Sequence, residues 1–314
     1  MSVTDASTPR VRRWRSTKPL DVLTTLSVFG RGKHDPVHRV DGQNVWRTAH
    51  TPEGPVTMCA TQDGDRGVEV RAWGAGAQWQ LEVVPALFGE TTLADSSDHL
   101  DGASHAVIRD AYRRNRGLRV PGTGLVFEAL AFVVLEQKVV GLDATAARRR
   151  LVKEFGSPAA TDAPVGMMVS PNAEGWRMVP SWSWHQAGVD PKRSRTIVSC
   201  ARYASRIEQA SAMTTPDARA RLLALPGIGE WSYAEIAKTA LGDTDAVSVG
   251  DYHLGRFVTW ALTGKEDGTD DDMLELLEPY RPHRQIVVRL LELTKFGAMP
   301  RRGPRMSRID YRTI

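Results

Sequence analysis

Short apolar segments separated by turn residues occupy the first third of the chain. Their pattern predicts five strands, at 22–29, 37–48, 56–61, 67–73 and 78–83. Turns rich in glycine, proline and aspartate, such as 51–55 and 63–65, lie between them. Apolar and polar side chains alternate over 68–73, which is typical of a strand with one covered face. We therefore expect an antiparallel sheet, with a helix over 98–112 lying on it.

From about residue 117 the apolar positions follow the period of a helix instead. One apolar stripe covers 126–141, and further helices are predicted over 143–155, 192–207, 215–224, 230–241, 251–262, 271–277 and 284–296. Asp190 and Pro191 supply an N-cap and a first helical residue for one of them. The pattern predicts an α+β protein with a disordered basic arm (1–18), a small β-rich domain (19–115), an all-α domain (116–298) and a basic tail (299–314).

Composition excludes several classes of protein. Hydrophobic residues make up 41% of the chain and charged residues 25%, as in soluble globular proteins. The net charge is only +4, so it does not by itself indicate nucleic acid, although basic residues cluster at 113–119 and 148–150. Two distant cysteines, Cys59 and Cys200, exclude a cysteine-ligated zinc or iron–sulfur site and argue against a disulfide-built secreted fold.

The sequence also predicts where the protein works. No apolar stretch is long enough to span a bilayer, and residues 1–18 are polar with no apolar signal segment. We therefore expect no membrane partner and a cytoplasmic, nucleoid-associated protein.

A glycine-rich bend stands out among the predicted helices. Leu225, Pro226, Gly227, Ile228 and Gly229 connect the helix 215–224 to the helix 230–241. Two glycines permit a tight turn, and the amides at the start of the next helix then point outward, where they can bind a phosphate. The segment is typical of a helix–hairpin–helix, which holds a DNA backbone without reading its sequence. The same residues would also suit a simple helix–helix turn.

A carboxylate follows this hairpin after one helix and one short connection. Asp251 begins the next predicted helix, where aspartate is a favoured N-cap. Beside a held phosphodiester, however, the same carboxylate could stabilise the positive charge that develops on a sugar as a glycosidic bond breaks. It could also orient or deprotonate an attacking water.

Hairpin, tryptophan and aspartate together resemble a known family. The sequence Leu-Pro-Gly-Ile-Gly-x-Trp, ending at Trp231, and the later pair Asp251-Tyr252 are similar to the active-site pattern of the HhH-GPD superfamily of DNA glycosylases. Within it the similarity is to the 3-methyladenine DNA glycosylase II (AlkA) type. The resemblance is strong over 117–296 and weaker before, where the strands fit that family's sheet domain, which is like the TATA-binding protein.

The resemblance implies roles for individual residues. Asp251 would be the catalytic aspartate, and the hairpin backbone would hold a phosphate and could bind a monovalent cation, with no other metal or cofactor. Gln137 and Lys138 would contact DNA, and Trp231 and Tyr252 would line the base pocket. Trp231 stands where bifunctional relatives carry a nucleophilic lysine, and an indole cannot form a Schiff base.

Three positions depart from the family pattern. Gly250 stands where some family members have a second acid or a proline. Lys138 stands where a leucine wedge is found, and lysine is a poor apolar plug for the gap left by a flipped base. Glu235 replaces a tyrosine expected one turn after Trp231. The base pocket therefore differs from that of the family's better-known member.

These features predict a monofunctional glycosylase, acting as a monomer on duplex DNA. Its expected substrates are alkylated bases such as 3-methyladenine and 7-methylguanine. An alternative is a non-catalytic module that recognises lesions or branched DNA. A third hypothesis, a bifunctional lyase or endonuclease, is disfavoured by Trp231 and by the lack of a cysteine cluster.

Overall fold

The computed structural model describes residues 8–90, 97–295 and 298–300. The first seven residues of the predicted arm and the predicted basic tail from residue 301 onward lie outside the described residues. The described part combines a small sheet with many helices, as the α+β prediction expects.

Five antiparallel strands form the sheet, in the order β1-β5-β4-β3-β2. They are β1 (Arg10–Arg15), β2 (His38–Asp41), β3 (Asn44–Thr51), β4 (Gly54–Asp63) and β5 (Gly67–Trp73). The central hairpin is in register along its whole length, from Asn44 opposite Thr61 to Thr51 opposite Gly54. The sheet is therefore built from neighbouring segments of the chain, with β1 added at the edge next to β5.

Three predictions for the amino-terminal part were wrong. The segment predicted as the strand 22–29 is helix α1 (Val22–Leu26) followed by a 3₁₀ turn, because Asp21 caps it by accepting from the Thr24 amide. The predicted strand 78–83 is helix α2 (Ala77–Glu82), whose buried residues follow helical spacing. Residues 10–15, predicted to belong to a disordered arm, form β1 and pair with β5.

Both faces of the sheet are covered. Helices α1, α2 and α3 (Val84–Leu87) pack against one face and bury the main core of this region. On the other face Trp46 and Trp73 stack with ring centroids 5.5 Å apart, and Met167 from the helical part packs on them. The expectation of a single covered face is therefore corrected.

The helical part has two cores. The first surrounds α5 and includes α6 to α12, and the second joins α4 to α13, α14 and α15. The bounds of these helices are α4 (Ala106–Arg114), α5 (Val126–Glu136), α6 (Gly141–Phe155), α7 (Ala173–Met178), α8 (Ser181–Gln186), α9 (Pro191–Ala201), α10 (Ala204–Glu208), α11 (Thr215–Leu223), α12 (Glu230–Ile236), α13 (Leu254–Thr263), α14 (Asp270–Leu277) and α15 (Arg284–Lys295). A π-helical segment, Ala237–Leu241, continues α12. Two short strands, β6 (Ser157–Pro158) and β7 (Met168–Val169), pair in the connection between α6 and α7.

Helix α4 does not lie on the sheet as predicted. Its buried residues Ile108, Ala111 and Tyr112 belong to the second helical core, and the helix packs along α15. The amino-terminal segment therefore contributes one helix to the carboxy-terminal layer. None of the helices in the described ranges is long and apolar enough to cross a bilayer.

Candidate active site

The glycine-rich bend is a tight hairpin between α11 and α12. The Ile228 amide donates to the Leu225 carbonyl at 3.1 Å, and the Ile228 side chain is buried in the first helical core. Gly227 has φ of +88°, and a Cβ there would lie 2.6 Å from Oγ1 of Thr196 on α9. Gly229 precedes α12 and offers no side-chain cap, so amides of the first turn of α12 are available to another acceptor.

Gln137, which follows α5, holds the hairpin from the side. Its Nε2 donates to the Gly227 carbonyl at 2.9 Å and to the Ser232 hydroxyl at 2.9 Å. The structure therefore brings Gln137 to the hairpin. Because one hairpin carbonyl already accepts from Gln137, this residue has a role in shaping the bend, and its predicted contact with DNA stays a prediction.

Asp251 lies directly beside the start of α12. Its Oδ2 accepts from Nε1 of Trp231 at 3.1 Å. Its Oδ1 accepts from the amides of His253 at 2.8 Å and Leu254 at 3.0 Å, so the residue also caps the chain entering α13. The interpretation as a cap is thus confirmed through Oδ1, whereas the role of Asp251 as a site carboxylate stays a prediction.

The bend before Asp251 is fixed by a second carboxylate. Gly250 has φ of +86°, and its amide donates to Oδ2 of Asp270, at the start of α14, at 2.7 Å. The Asp251 amide donates to the Ser248 carbonyl at 3.2 Å. The backbone on both sides of the carboxylate is therefore held, which fixes the direction in which Asp251 points.

Two other predicted site residues lie on the surface. Tyr252 is 80% exposed, and in the described part of the chain its ring pairs edge-on with His253 only, with centroids 4.8 Å apart. Lys138 is exposed and has φ of +53°, and it is the only residue other than glycine with positive φ in the described ranges. A strained backbone at an exposed position is often a functional feature. The roles predicted for both side chains stay predictions.

A cavity opens one turn further along α12 than Trp231. It lies between the sheet region and α5, and Glu235 and Thr239 bring the end of α12 and the π-helical segment into its wall. π-Helical turns are frequent at functional sites. The cavity is lined by Val28, Phe29, Arg31, Val37, His38, Arg47, Thr123, Glu128, Ala129, Phe132, Val133, Glu136, Arg148, Glu235 and Thr239.

The cavity wall carries paired charges. Arg31 donates to both oxygens of Glu136, at 2.6 and 3.3 Å, and Arg47 pairs with Glu128. Burial lowers the pKa of Arg31, but the carboxylates of Glu136, Glu235 and Asp35 more than offset this, so that its pKa is raised. Sequence reasoning missed Arg31 and Glu136, because nothing in their local pattern indicates that segments a hundred residues apart meet.

His38 is a neutral member of the same wall. Its burial is the largest cause that lowers its pKa, to about 4, and the nearby guanidinium groups of Arg47 and Arg148 act in the same direction. Its Nε2 is buried with no hydrogen-bond partner among the described residues. The imidazole is therefore uncharged at neutral pH.

Solved structures with a similar architecture are DNA glycosylases. A 3-methyladenine DNA glycosylase from Archaeoglobus fulgidus superposes with a TM-score of 0.75 and 18% identity, covering 92% of this chain and 100% of its own. An 8-oxoguanine glycosylase/lyase from Clostridium acetobutylicum, in complex with double-stranded DNA, has a TM-score of 0.66 and 10% identity, covering 91% of this chain and 97% of its own.

This chain has the fold of the HhH-GPD DNA glycosylases. The expected fold is thereby confirmed across sheet and helices together. A 3-methyladenine DNA glycosylase from Schizosaccharomyces pombe, in complex with abasic DNA, matches a smaller part, 63% of this chain and 95% of its own, with a TM-score of 0.51 and 19% identity. No protein-family model and no curated protein sequence matches the chain.

Proposed function

We propose that the protein is a monofunctional DNA glycosylase that hydrolyses the N-glycosidic bond of an alkylated purine in duplex DNA. The observation that carries this proposal is the carboxylate of Asp251, held 3.1 Å from the Trp231 indole at the first turn after the hairpin. The similarity in fold to a glycosylase named for 3-methyladenine, and to an 8-oxoguanine glycosylase/lyase in complex with double-stranded DNA, supports a glycosylase.

Asp251 would stabilise the charge that develops on the sugar and would orient or activate the attacking water. As the bond to the base breaks, positive charge develops on the sugar, and a fixed carboxylate stabilises it. Alkylated purines that carry a positive charge leave easily, so a strong general acid is not required. The same carboxylate can orient or deprotonate the water that attacks C1′. Because Trp231 Nε1 and two backbone amides hold the carboxylate, little reorganisation is needed during the reaction.

The hairpin would hold the DNA backbone beside this carboxylate. Uncapped amides at the start of α12 can donate to a phosphate, and hairpin carbonyls can bind a monovalent cation. Lys138 adds a positive charge close to Gln137, which itself contacts the hairpin. In this proposal the protein works as a monomer, and its backbone contacts give affinity without sequence preference.

A lyase step is not supported by the groups around Asp251. The indole of Trp231 cannot form a covalent adduct with C1′. Along α12 and its π-helical continuation, the amine that follows Trp231 is that of Lys238. It pairs with Glu235, and the Lys238 side chain is only 17% exposed. An amine held in an ion pair is a poor nucleophile, so we favour hydrolysis without strand cleavage.

Base release tests the proposal directly. Duplexes carrying methylated, deaminated or oxidised bases would be incubated with the protein, and the released bases separated from the DNA. We expect release from methylated DNA, an intact strand bearing an abasic site, and no adduct after borohydride treatment. Release of no base would favour the non-catalytic alternative, whereas a trapped adduct would indicate a lyase.

A further inference from the structure

Glu235 differs from the other glutamates of the cavity wall because one of its carboxylate oxygens accepts no hydrogen bond from the described residues. Oε1 of Glu128 accepts from Arg47 and its Oε2 accepts from the Ser170 hydroxyl, and both oxygens of Glu136 accept from Arg31. In Glu235 a single oxygen, Oε1, accepts hydrogen bonds from both Lys238 and the Ser248 hydroxyl. In the described part of the chain, nothing donates to its Oε2.

A carboxylate oxygen that receives no donor is a strong hydrogen-bond acceptor. The Glu235 side chain is 12% exposed and faces the cavity, so the wall offers a strong acceptor to whatever enters. Oε2 of Glu235 is therefore a polar atom on the cavity wall that a ligand could satisfy.

The remaining walls suit a flat ring. Phe29 and Phe132 line the cavity, and each carries a guanidinium over its ring, Arg47 at 5.0 Å and Arg148 at 3.8 Å from the centroids. Each guanidinium covers one face of its ring and holds the ring in the cavity wall. An aromatic ring in the wall can stack its other face on a planar heterocycle.

Two links connect the cavity to the Asp251 site. Glu235 follows Trp231 by four residues on α12, so the two side chains lie on one helix face. Ser248 donates its hydroxyl to Glu235 at 2.6 Å, while its carbonyl accepts from the Asp251 amide at 3.2 Å. The cavity wall and the Asp251 site are thus joined through α12 and through Ser248.

We propose that Glu235 determines specificity by accepting a hydrogen bond, on Oε2, from the N–H edge of a purine flipped into this cavity. The proposal rests on the proposed glycosylase function. It names the substrate class as purines that carry amino or ring N–H donors, such as 7-methylguanine, and it excludes bases whose facing edge holds only acceptors. Positive charge on an alkylated purine strengthens its N–H donors, so the carboxylate favours damaged over normal bases.

A binding experiment tests this without relying on catalysis. The two probes are duplexes with a 2′-fluoro sugar, which resists hydrolysis, bearing either 7-methylguanine or 7-methylpurine, which lacks N–H donors on that edge. We expect the wild type to bind the first at least about tenfold more tightly, as a charge-assisted hydrogen bond allows. In Glu235→Gln this preference should fall to about threefold or less, because the charge is lost.

Two controls separate recognition from a structural effect. Glu230→Gln changes an exposed carboxylate at the start of the same helix, and it should keep the wild-type preference. Affinity for a duplex with an abasic site should stay within about twofold in Glu235→Gln, since no base is present to contact Oε2. A changed abasic-site affinity would show that Glu235 acts by supporting Ser248 and would overturn the proposal.

The outcomes distinguish this proposal from the proposed function. Equal binding of the two probes by the wild type, or an unchanged preference in Glu235→Gln, overturns the role of Glu235 even if bases are released. A preference that depends on Glu235, with no release from hydrolysable 7-methylguanine DNA, supports the recognition role and contradicts the glycosylase activity.

Discussion

The hairpin site and the neighbouring cavity hold their polar groups in opposite ways. At the hairpin, amides of residues two and three positions along the chain fix Asp251, with one indole from 20 residues away. In the cavity, guanidinium and carboxylate groups separated by 81 and 105 residues pair with one another. The first arrangement is local and depends on backbone conformation, whereas the second exists only when sheet and helices are packed together.

This difference implies different sensitivities to mutation. A site built on backbone turns should fail when a turn residue changes, and should tolerate the loss of surface charges. A cavity built on buried ion pairs should fail when one partner is removed, because the other charge stays behind without compensation.

The largest effect on stability is expected from Arg47→Met. The side chains of Arg47 and Glu128 are only 7% and 11% exposed, so removing the guanidinium leaves a buried carboxylate at the boundary between sheet and α5. We expect the free energy of unfolding to fall by about 3 kcal/mol, measured by urea denaturation. Arg13→Met, which breaks the surface pair with Glu69, should unfold at the wild-type midpoint, and adding Glu128→Gln should restore part of the loss. An equal loss in Arg13→Met would contradict the contrast.

Gly227→Ala should damage the hairpin. The new Cβ would sit 2.6 Å from Thr196 Oγ1 on a backbone with φ of +88°, so we expect a loss of about 2 kcal/mol in unfolding free energy. Gly229→Ala is the matched control, because its Cβ would meet no atom within 4 Å and its φ is −111°. Duplex affinity should fall in the first variant and hold in the second. Equal behaviour of the two variants would show that the bend does not need glycine at 227.

Glu208 should make stability depend on pH. It accepts from the amides of Val126 and Phe127 at the start of α5, but burial and the charge of Glu128 raise its pKa to about 7. The folded protein therefore binds more protons than the unfolded chain between the ordinary pKa and about 7, so this group's contribution to stability falls as pH rises through that window.

Glu208→Gln removes this titration. The unfolding free energy of the wild type minus that of the variant should decrease from pH 5 to pH 7, by up to about 1.4 kcal/mol per unit, and level off above. Urea denaturation at successive pH values measures it. A difference that stays flat, or rises with pH, would rule out a raised pKa at Glu208.

The smallest effect is expected at Lys138. Because its φ is +53°, Lys138→Gly should not destabilise the protein and could raise its unfolding free energy by up to about 1 kcal/mol. If the lysine contacts a phosphate, the variant should bind duplex DNA more weakly, with a slope of log affinity against log salt about one unit shallower. Lys138→Asn, which also tolerates this conformation, should behave alike, and an unchanged slope in both would place Lys138 away from the DNA.

The same contrast explains how far the sequence could predict the molecule. Consecutive residues specify the hairpin. They also specify the start of α9, where Asp190 is the N-cap and Pro191 follows, and the structure confirms that cap. The proximity of Asp251 to the hairpin followed from a short connection. The apolar residues at 22–29 and 78–83 are compatible with either a strand or a helix. Capping and packing make both segments helical, and neither feature can be read from the alternation of apolar and polar residues.

The cavity could not be predicted for a physical reason. Its charges come from the segment before β2, from β3, from α5 and α6, and from the end of α12. Each arginine or glutamate taken alone looks like a solvated surface residue. Glu235 was noticed as a departure from the family pattern, but its free oxygen depends on Lys238 and Ser248 both meeting Oε1, which only the folded structure shows.

Asp251→Asn is the decisive variant for the proposal that the Asp251 carboxylate drives base release. Asparagine can still accept from the amides of His253 and Leu254, so the cap and the fold should persist, while the negative charge beside the sugar is lost. Under single-turnover conditions with methylated duplex, we predict a rate at least about 100-fold lower, with affinity for abasic-site DNA within a few fold of wild type. Release at the wild-type rate would contradict the account.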